Sequence, residues 1–176
     1  FPIPAPDLKK VPDRYYRKQV DYQTSEKVGT LVVDTSNYYL YLVQENGKAM
    51  RYGVGIGRDG FSWGGKARIA RKKEWPTWRP TQEMIERDPS SYGRFRNNDY
   101  VQPGGPTNPL GARALYLYDA EGRDTYLRIH GTNAPETIGS AVSNGCARLT
   151  NEHVKDLYER VEIGARVFLY PKVTTA

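Results

Sequence analysis

The sequence predicts a mostly β protein with a β-sandwich-like architecture and one or two short helices. Short stretches rich in β-branched and aromatic residues recur at short intervals, and turn residues divide them. Fourteen tyrosines strengthen this prediction, because tyrosine is common in strands. At 176 residues and 20.0 kDa, the chain is long enough for one domain with a substantial core.

The predicted strands begin after Gly29, and each is a short run of apolar, aromatic or β-branched residues. A hairpin turn follows the second run, because Asn46-Gly47 accepts the positive φ that such turns need. The predicted strands cover residues 30–35, 38–44, 49–56, 66–73, 112–118, 125–130 and 165–170.

Two segments favour helix. The first, residues 81–87, lies between Pro80 and Pro89. The second begins after Thr150, a suitable N-cap, and is predicted to end at Gly164. Its apolar residues recur at i, i+3, i+4 and i+7, which is typical of a helix face packed on a sheet. They are Val154, Leu157, Tyr158 and Val161.

Residues 1–28 are predicted to form an extended N-terminal arm that precedes a domain of residues 29–176. Prolines at positions 2, 4, 6 and 12 favour extended backbone over helix. Two alternatives are open for the arm: it lies across the domain, or it is a leftover linker. Residues 88–105 are polar and long for a connection, which is typical of a lid or substrate wall, or of a disordered surface loop.

Charge and cysteine content limit the classes of partner. The formal net charge of +6 fits an anionic partner. Nucleic acid is disfavoured, because the basic residues are scattered among acidic ones and no nucleic-acid motif is present. A single cysteine cannot form an internal disulfide, and no window is apolar enough or long enough to span a membrane.

The single cysteine, Cys146, lies in the polar sequence Ser143-Asn144-Gly145-Cys146-Ala147-Arg148, and upstream His130 ends a predicted strand. A thiol, an imidazole and a guanidinium fit acyl transfer through a thiolate. The imidazole takes the thiol proton, and the guanidinium holds a carboxylate. The alternative is a buried structural cysteine. Gly145 favours a tight turn that exposes the thiol.

The two histidines are predicted to differ in setting. Side chains alternate in a strand, so Tyr126, Arg128 and His130 share one face, and His130 becomes the candidate base for Cys146. His153 is predicted to be a solvated residue in the first turn of the second helix. A zinc site formed by the cysteine and both histidines is the alternative, but it lacks a fourth ligand and the short spacings of structural zinc sites.

The cysteine and histidine motifs belong to a longer pattern. It comprises His130-Gly131-Thr132-Asn133, Ile138-Gly139 and Ser143-x-Gly145-Cys146-x-Arg148, with further segments such as Tyr52-x-Val54-Gly55-Ile56-Gly57 and Asn108-Pro109-Leu110-Gly111. This pattern resembles the L,D-transpeptidase (YkuD-like) catalytic domain family of bacterial cell-wall enzymes over about residues 29–170. The chain departs from the family at Ala147, where a bulkier aliphatic residue is usual, and at Asn144, where serine or lysine is common.

The resemblance implies roles for individual residues. Cys146 is the expected nucleophile and His130 the base, and the carbonyl of Gly131 orients the imidazole. Arg148 is expected to clamp a substrate carboxylate; the alternative is a surface arginine in an ion pair. The other expected substrate-binding residues are Ser143, Asn144, Gly145, Arg128 and Tyr126. By analogy with thiol acyl-transfer sites, the N–H groups of residues 145 and 146 form an oxyanion hole.

The resemblance also implies a reaction. The enzyme would cleave the bond between the third and fourth residues of a peptidoglycan stem peptide and release D-alanine. It would pass the acyl group to an amine of a second stem peptide, or of an outer-membrane or wall-linked protein, with no cofactor or metal. The alternatives are an L,D-carboxypeptidase and a non-catalytic wall-binding domain. Acylation by carbapenems, a role in cell-wall biogenesis and cell shape, and export to the periplasm or cell wall with the signal removed are further expectations.

Overall fold

A computed structural model describes residues 1–4, 9–57, 65–142 and 147–170 of the chain. These residues form eleven strands joined in one hydrogen-bonded sheet. The strands are β1 (Lys18–Asp21), β2 (Leu31–Asp34), β3 (Tyr39–Val43), β4 (Lys48–Gly53), β5 (Gly55–Gly57), β6 (Gly65–Glu74), β7 (Arg113–Tyr118), β8 (Asp124–His130), β9 (Ala141–Val142), β10 (Ala147–Arg148) and β11 (Arg166–Tyr170). The same residues form three α-helices, which are α1 (Gln82–Arg87), α2 (Pro89–Tyr92) and α3 (Asn151–Arg160).

The prediction of a mostly β fold with few short helices is confirmed, and every predicted strand region contains a strand. The predicted strand at residues 49–56 divides into β4 and β5 at Val54. The sequence pattern does not predict β1, β9 or β10. The last two have only two residues each, too few to show an alternation, and β1 is largely exposed.

The order of strands across the sheet is β1-β4-β3-β2-β11-β6-β7-β8-β10-β5-β9. Strand β8 ends at His130, and β10 contains Ala147 and Arg148 of the cysteine motif. The two strands are parallel neighbours in the sheet. The hydrophobic core lies between the sheet and α3, where Leu115 of β7, Ile129 of β8 and Leu157 of α3 are fully buried. Burial of such a side chain contributes about 1.5–3 kcal/mol, so the core holds the end of β8 firmly.

Helix α3 begins as predicted but ends earlier. The Thr150 Oγ1 atom accepts a hydrogen bond from the N–H of His153 at 3.2 Å. The helix stops at Arg160, so the predicted end at Gly164 is wrong. Gly164 has a φ of 94° and lies in the turn that leads into β11. The left-handed backbone that glycine permits therefore serves this turn and not the helix cap.

The described part of the predicted N-terminal arm packs on the rest of the chain. Val11 and Tyr15 are buried, and β1 pairs with β4 in antiparallel fashion. The ring of Tyr15 fits over Gly139, where a Cβ atom would lie 2.3 Å from the Tyr15 Cε2 atom. The arm thus packs on the segment that precedes the cysteine motif. A domain boundary between residues 28 and 29 stays a prediction.

Residues 88–105 form a wall anchored to the preceding segment. They contain α2 and a 3-10 helix, Gly93–Phe95. The buried ring of Phe95 meets Trp78 edge to face at 5.5 Å between centroids. Arg79 donates hydrogen bonds of 2.7 Å to the carbonyls of Phe95 and Tyr100. This part of the chain therefore has defined internal contacts, as a substrate wall requires.

Candidate active site

A cleft of about 850 Å³ opens at the end of β8. Strands β8 and β10 contribute His130 and Arg148 to its lining. The opposite wall comes from residues 77–110, which include α1, α2 and the anchored segment. The polar ends of two neighbouring strands thus face a concave surface, a common setting for binding and catalysis.

His130 has one defined tautomer within this cleft. Its ring is buried, and its Nδ1 atom lies 2.6 Å from the carbonyl oxygen of Gly131. A carbonyl oxygen can only accept, so Nδ1 carries the hydrogen and Nε2 keeps a free lone pair. Burial lowers the pKa of His130 to about 4, and the positive charge of Arg148 acts in the same direction. The imidazole is therefore neutral at pH 7 and can accept a proton at Nε2.

Gly131 and the start of α3 hold this arrangement together. A Cβ atom at Gly131 would lie 2.2 Å from the Oδ1 atom of Asn151, so only glycine fits here. The same Oδ1 atom accepts hydrogen bonds from the N–H groups of Ala112 and Thr132, at 3.0 and 3.2 Å. Asn151 thus ties the first turn of the helix to the chain after His130. Sequence reasoning missed this residue, because its position next to the Thr150 cap gave no sign of a second role.

Arg148 lies directly beside His130. The two residues are register partners in the parallel pairing of β8 and β10, so their side chains share a face of the sheet. On the other side, Arg148 pairs with Gly55 of β5. A Cβ atom at Gly55 would lie 3.0 Å from the Arg148 Cγ atom and 2.7 Å from the Thr137 carbonyl oxygen. Glycine leaves room for the arginine, and burial lowers the pKa of Arg148, which stays charged at pH 7.

Arg128 and Tyr126 also line the cleft but differ in freedom. Arg128 forms a two-point ion pair with Asp124, with N–O distances of 2.6 and 2.9 Å, and lies 4.5 Å over the ring of Tyr116. This pairing lowers the pKa of Asp124. Tyr126 is 79% exposed, although its backbone has a φ of 60° and its N–H donates to Asp124 at 2.8 Å. Arg128 is thus held in place, whereas the Tyr126 ring is open to a ligand.

The cleft has a positive lining. Its lining residues include five arginines and a single glutamate among the residues that the structure describes. The arginines are Arg79, Arg87, Arg94, Arg128 and Arg148, and the glutamate is Glu83. A concave surface with one dominant sign of charge attracts ligands of the opposite sign, so this cleft suits anionic groups.

Four of the predicted site residues, Ser143, Asn144, Gly145 and Cys146, lie outside the described residues. Of the others, the structure brings His130, Gly131, Arg148, Arg128 and Tyr126 to one end of one cleft or next to it.

His153 is buried, so the prediction of a solvated residue is wrong. It stands one helical turn before Leu157, on the inward side of α3, and the arm covers it. The rings of Tyr16 and Tyr52 meet it edge to face at 5.2 and 6.1 Å. Burial lowers its pKa to about 4. Within residues 1–4, 9–57, 65–142 and 147–170, no group of three or more His, Cys, Asp or Glu residues is placed to hold a metal ion.

Among the residues that the structure describes, none forms a helix long and apolar enough to cross a membrane.

Comparison with known proteins gives a consistent family. The model of the YkuD L,D-transpeptidase catalytic domain matches residues 29–169. The chain is 42% identical over 122 residues to the probable L,D-transpeptidase YbiS of Escherichia coli (strain K12), covering 65% of this chain and 35% of that protein. It is 35% identical over 142 residues to the probable L,D-transpeptidase ErfK/SrfK of the same strain, covering 78% and 42%. The chain therefore spans less than half the length of these two relatives.

Solved structures show the same fold. A Brucella melitensis protein named as a probable carnitine operon oxidoreductase is 46% identical, with a TM-score of 0.62 over 97% of this chain and 99% of that one. An L,D-transpeptidase from Mycobacterium smegmatis is 14% identical, with a TM-score of 0.53 over 80% of this chain and 58% of that one.

Proposed function

The chain belongs to the L,D-transpeptidase (YkuD) catalytic domain family, and on that premise we propose that it transfers an acyl group from a peptidoglycan stem peptide through a thioester on Cys146. The acceptor is an amine of a second stem peptide, which gives a 3-3 cross-link, or an amine of a wall-linked or outer-membrane protein. Because this substrate lies outside the cytoplasmic membrane, the proposed location is the periplasm or the cell wall.

The state of His130 is the observation that carries this proposal. Its Nδ1 atom is occupied by the Gly131 carbonyl at 2.6 Å, and its pKa is lowered to about 4. The ring is therefore neutral at pH 7, and the Nδ1 contact leaves Nε2 as its proton-accepting nitrogen. Cys146 is bonded to Ala147, which pairs with Ile129, the residue before His130.

The proposed reaction has two acyl-transfer steps. In the first, the Cys146 thiol gives its proton to Nε2 of His130, and the thiolate attacks the carbonyl carbon of the third stem residue. The carbon–nitrogen bond to the fourth residue breaks, and the imidazolium protonates the departing D-alanine amine. In the second, the acceptor amine attacks the thioester and loses a proton to the imidazole. The thiolate leaves, and the imidazolium returns a proton to it.

The cations of the cleft supply binding. We propose that Arg148 holds a substrate carboxylate by a two-point hydrogen bond. Arg128 is fixed by Asp124 and adds positive potential at the same end of the cleft. Tyr126, with its exposed ring, forms part of the substrate surface. Ser143, Asn144 and Gly145 are proposed to bind substrate in the turn before the nucleophile, with N–H groups of residues 145 and 146 at the oxyanion.

Two alternative reactions are considered for this site. Water as acceptor would make the protein an L,D-carboxypeptidase. The name of the Brucella relative describes an oxidoreductase instead. We favour acyl transfer because an oriented neutral imidazole and a half-buried arginine at the end of a cationic cleft fit proton transfer and carboxylate binding. A wall-binding domain without catalysis would not need that tautomer.

Intact-mass measurement after incubation with a tetrapeptide stem tests the proposal. We expect D-alanine release and a tripeptide acyl group on Cys146, located by peptide mapping. Cross-linked product on addition of a second stem peptide identifies a transpeptidase, and free tripeptide alone identifies a carboxypeptidase. A carbapenem is a second probe, since ring opening by the thiolate leaves an acyl-enzyme. The absence of both D-alanine release and any adduct on the protein would contradict the proposed function.

A further inference from the structure

A second groove lies away from the catalytic cleft, and tyrosine rings form its floor. Its volume is about 560 Å³. The rings follow one another in a row: Tyr15 and Tyr39 are 5.5 Å apart, Tyr39 and Tyr41 6.2 Å, and Tyr41 and Tyr22 4.5 Å between centroids. We name this surface the tyrosine groove, defined by Tyr15, Tyr39 and Tyr41 on its floor and by Arg14, Ser36 and Asn37 at its edge.

Strand alternation and one glycine bring these rings close together. Tyr39 and Tyr41 alternate along β3, so their rings share one face. The residue opposite Tyr39 in β4 is Gly53. A Cβ atom at Gly53 would lie 2.3 Å from the Cβ atom of Tyr15, so the missing side chain gives Tyr15 its place. Arg51, opposite Tyr41, adds a guanidinium 4.4 Å from the ring centre of Tyr39.

A polar turn borders the rings. The carboxylate of Asp34 accepts hydrogen bonds from the N–H groups of Ser36 and Asn37, at 3.0 and 3.2 Å. The next residue, Tyr38, lines the groove with a φ of 62°, a backbone conformation that costs energy for a bulky residue. Strain of this kind is concentrated at functional surfaces. The exposed Ser36 hydroxyl and the Asn37 Oδ1 atom offer hydrogen-bonding groups beside the tyrosine rings, while the Asn37 Nδ2 atom donates to Asp34 Oδ2 at 2.8 Å.

The half-exposed rings of Tyr39 and Tyr41, which have Arg51 and Tyr22 over one face each, leave their other faces to a chain of sugars beside the hydrogen-bonding edge. Each pyranose ring presents C–H bonds on its faces and hydroxyl or amide groups around its edge. We propose that the tyrosine groove binds the glycan strand of peptidoglycan. Its sugar rings stack on the tyrosines while a peptide branch of the same polymer enters the catalytic cleft. The choice of this glycan rests on the proposed function.

The groove and the cleft are joined by one short strip of chain. Tyr15, on the groove floor, packs on Gly139. Two residues earlier, the carbonyl of Thr137 faces Gly55, which makes room for Arg148 in the cleft. In the proposed complex, a polymer with peptide branches contacts both surfaces at once. Such two-point binding strengthens the attachment of a polymer beyond that of a free peptide.

A proline-rich peptide is the rival occupant, because such peptides also dock in aromatic grooves. The proline-containing N-terminus of this chain is directed elsewhere, since Phe1 packs on Trp75 at 5.1 Å between ring centres. The hydrogen-bonding turn at residues 36–37 and the continuity with the cleft favour the glycan.

Calorimetric titration with a tetramer of β-1,4-linked N-acetylglucosamine tests the proposal. We expect saturable binding to the parent protein and, because stacking on an aromatic ring contributes about 0.5–1.5 kcal/mol, a loss of about 2- to 10-fold in Tyr39→Leu. Tyr100→Leu is the matched control, since Tyr100 is exposed but does not line the groove. Asn37→Ala, at the exposed edge, is a second variant whose weakening does not depend on repacking the floor.

The titration separates this proposal from the catalytic one, because the probe has no peptide and needs no turnover. No saturable binding by the parent, or equal weakening by the Tyr100 control, overturns the glycan groove even if acyl transfer occurs. Tighter binding of decaproline than of the sugar also overturns it and assigns the groove to peptides. If the sugar binds as expected, a fall in the ratio of kcat/KM for intact peptidoglycan to that for free tetrapeptide in Tyr39→Leu links the groove to catalysis.

Discussion

His130 and His153 are alike in two properties and different in a third. Both rings are buried, and burial lowers the pKa of each to about 4. The Nδ1 atom of His130 is fixed by the Gly131 carbonyl, and the ring lines the cleft. Neither ring nitrogen of His153 has a hydrogen-bond partner within the part of the chain that the structure describes, and Tyr16 and Tyr52 pack against it.

This difference shows what identifies a base in such a fold. A lowered pKa keeps both rings neutral at pH 7, so the pKa alone does not separate them. Only in His130 does one ring nitrogen, Nδ1, donate its hydrogen to a carbonyl oxygen. The other nitrogen, Nε2, is then the one that can accept a proton, and the ring lines the cleft. His153 packs against Tyr16 and Tyr52, and its lowered pKa follows from that burial.

The largest expected effect concerns Cys146, the proposed proton donor to His130. Cys146→Ser should lower turnover by up to ~10⁶, because a serine hydroxyl is far harder to ionise than a thiol beside an imidazole. Product formation from a tetrapeptide stem, with circular dichroism as a check of the fold, measures it. Turnover comparable to the parent would remove the reason to treat the end of β8 as a catalytic site.

The next effect tests the comparison directly. His130→Ala should lower the acylation rate by ~10²–10⁴, the usual contribution of a general base. His153→Leu should leave the rate within a few-fold of the parent. It should also keep or raise the midpoint of thermal unfolding, since an apolar side chain of similar size replaces a buried polar ring without hydrogen bonds. Intact-mass measurement of samples quenched at successive times gives the acylation rate, and calorimetry gives the midpoint of thermal unfolding. Equal rate losses in the two variants would mean that the two histidines act together.

Arg148 shows whether the cation beside His130 binds substrate. Arg148→Ala should weaken acylation by stem peptide and by carbapenem by ~1.5–3 kcal/mol, or about 10- to 150-fold, if a charged hydrogen bond is lost. Arg148→Lys should recover only part, because lysine cannot form the two-point contact. Rates by intact mass compare the three proteins. Acylation of the alanine variant at the parent rate with both ligands would show that Arg148 has a structural role and does not bind the substrate carboxylate.

The last effect concerns the pH dependence of stability and leaves turnover at neutral pH unchanged. The folded pKa of each histidine lies below the usual 6.5, so the unfolded chain binds more protons as the pH falls. The stability from the neutral rings is complete above about pH 6.5 and is lost as the pH falls towards 4. At pH 5 the loss should be ~2 kcal/mol for each ring. Urea unfolding at pH 7 and pH 5 should show a smaller loss in His153→Leu than in the parent. The same loss in both would mean that His153 is not buried as a neutral ring in solution.

The sequence predicted the fold class and most strands because each strand carries enough residues to show its pattern. Tyr126, Arg128 and His130, expected on one face by alternation, all line the cleft, but the left-handed backbone of Tyr126 and the register shift between β7 and β8 interrupt that alternation. The sequence could not predict β9 or β10, which exist because neighbouring strands pair with them. The pairing of β10 with β8, which places Arg148 beside His130, is likewise invisible in a two-residue strand.

Local sequence thus determined which reactive groups this chain carries: one thiol, a histidine at the end of a strand, and an arginine two residues beyond the thiol. Tertiary structure decided where each group stands and in what state. His153 looked solvated because its neighbours in sequence are polar, but an arm more than a hundred residues away covers it. The physical reason is that burial depends on contacts between distant parts of the chain, and burial is what sets both the pKa and the accessibility of a side chain.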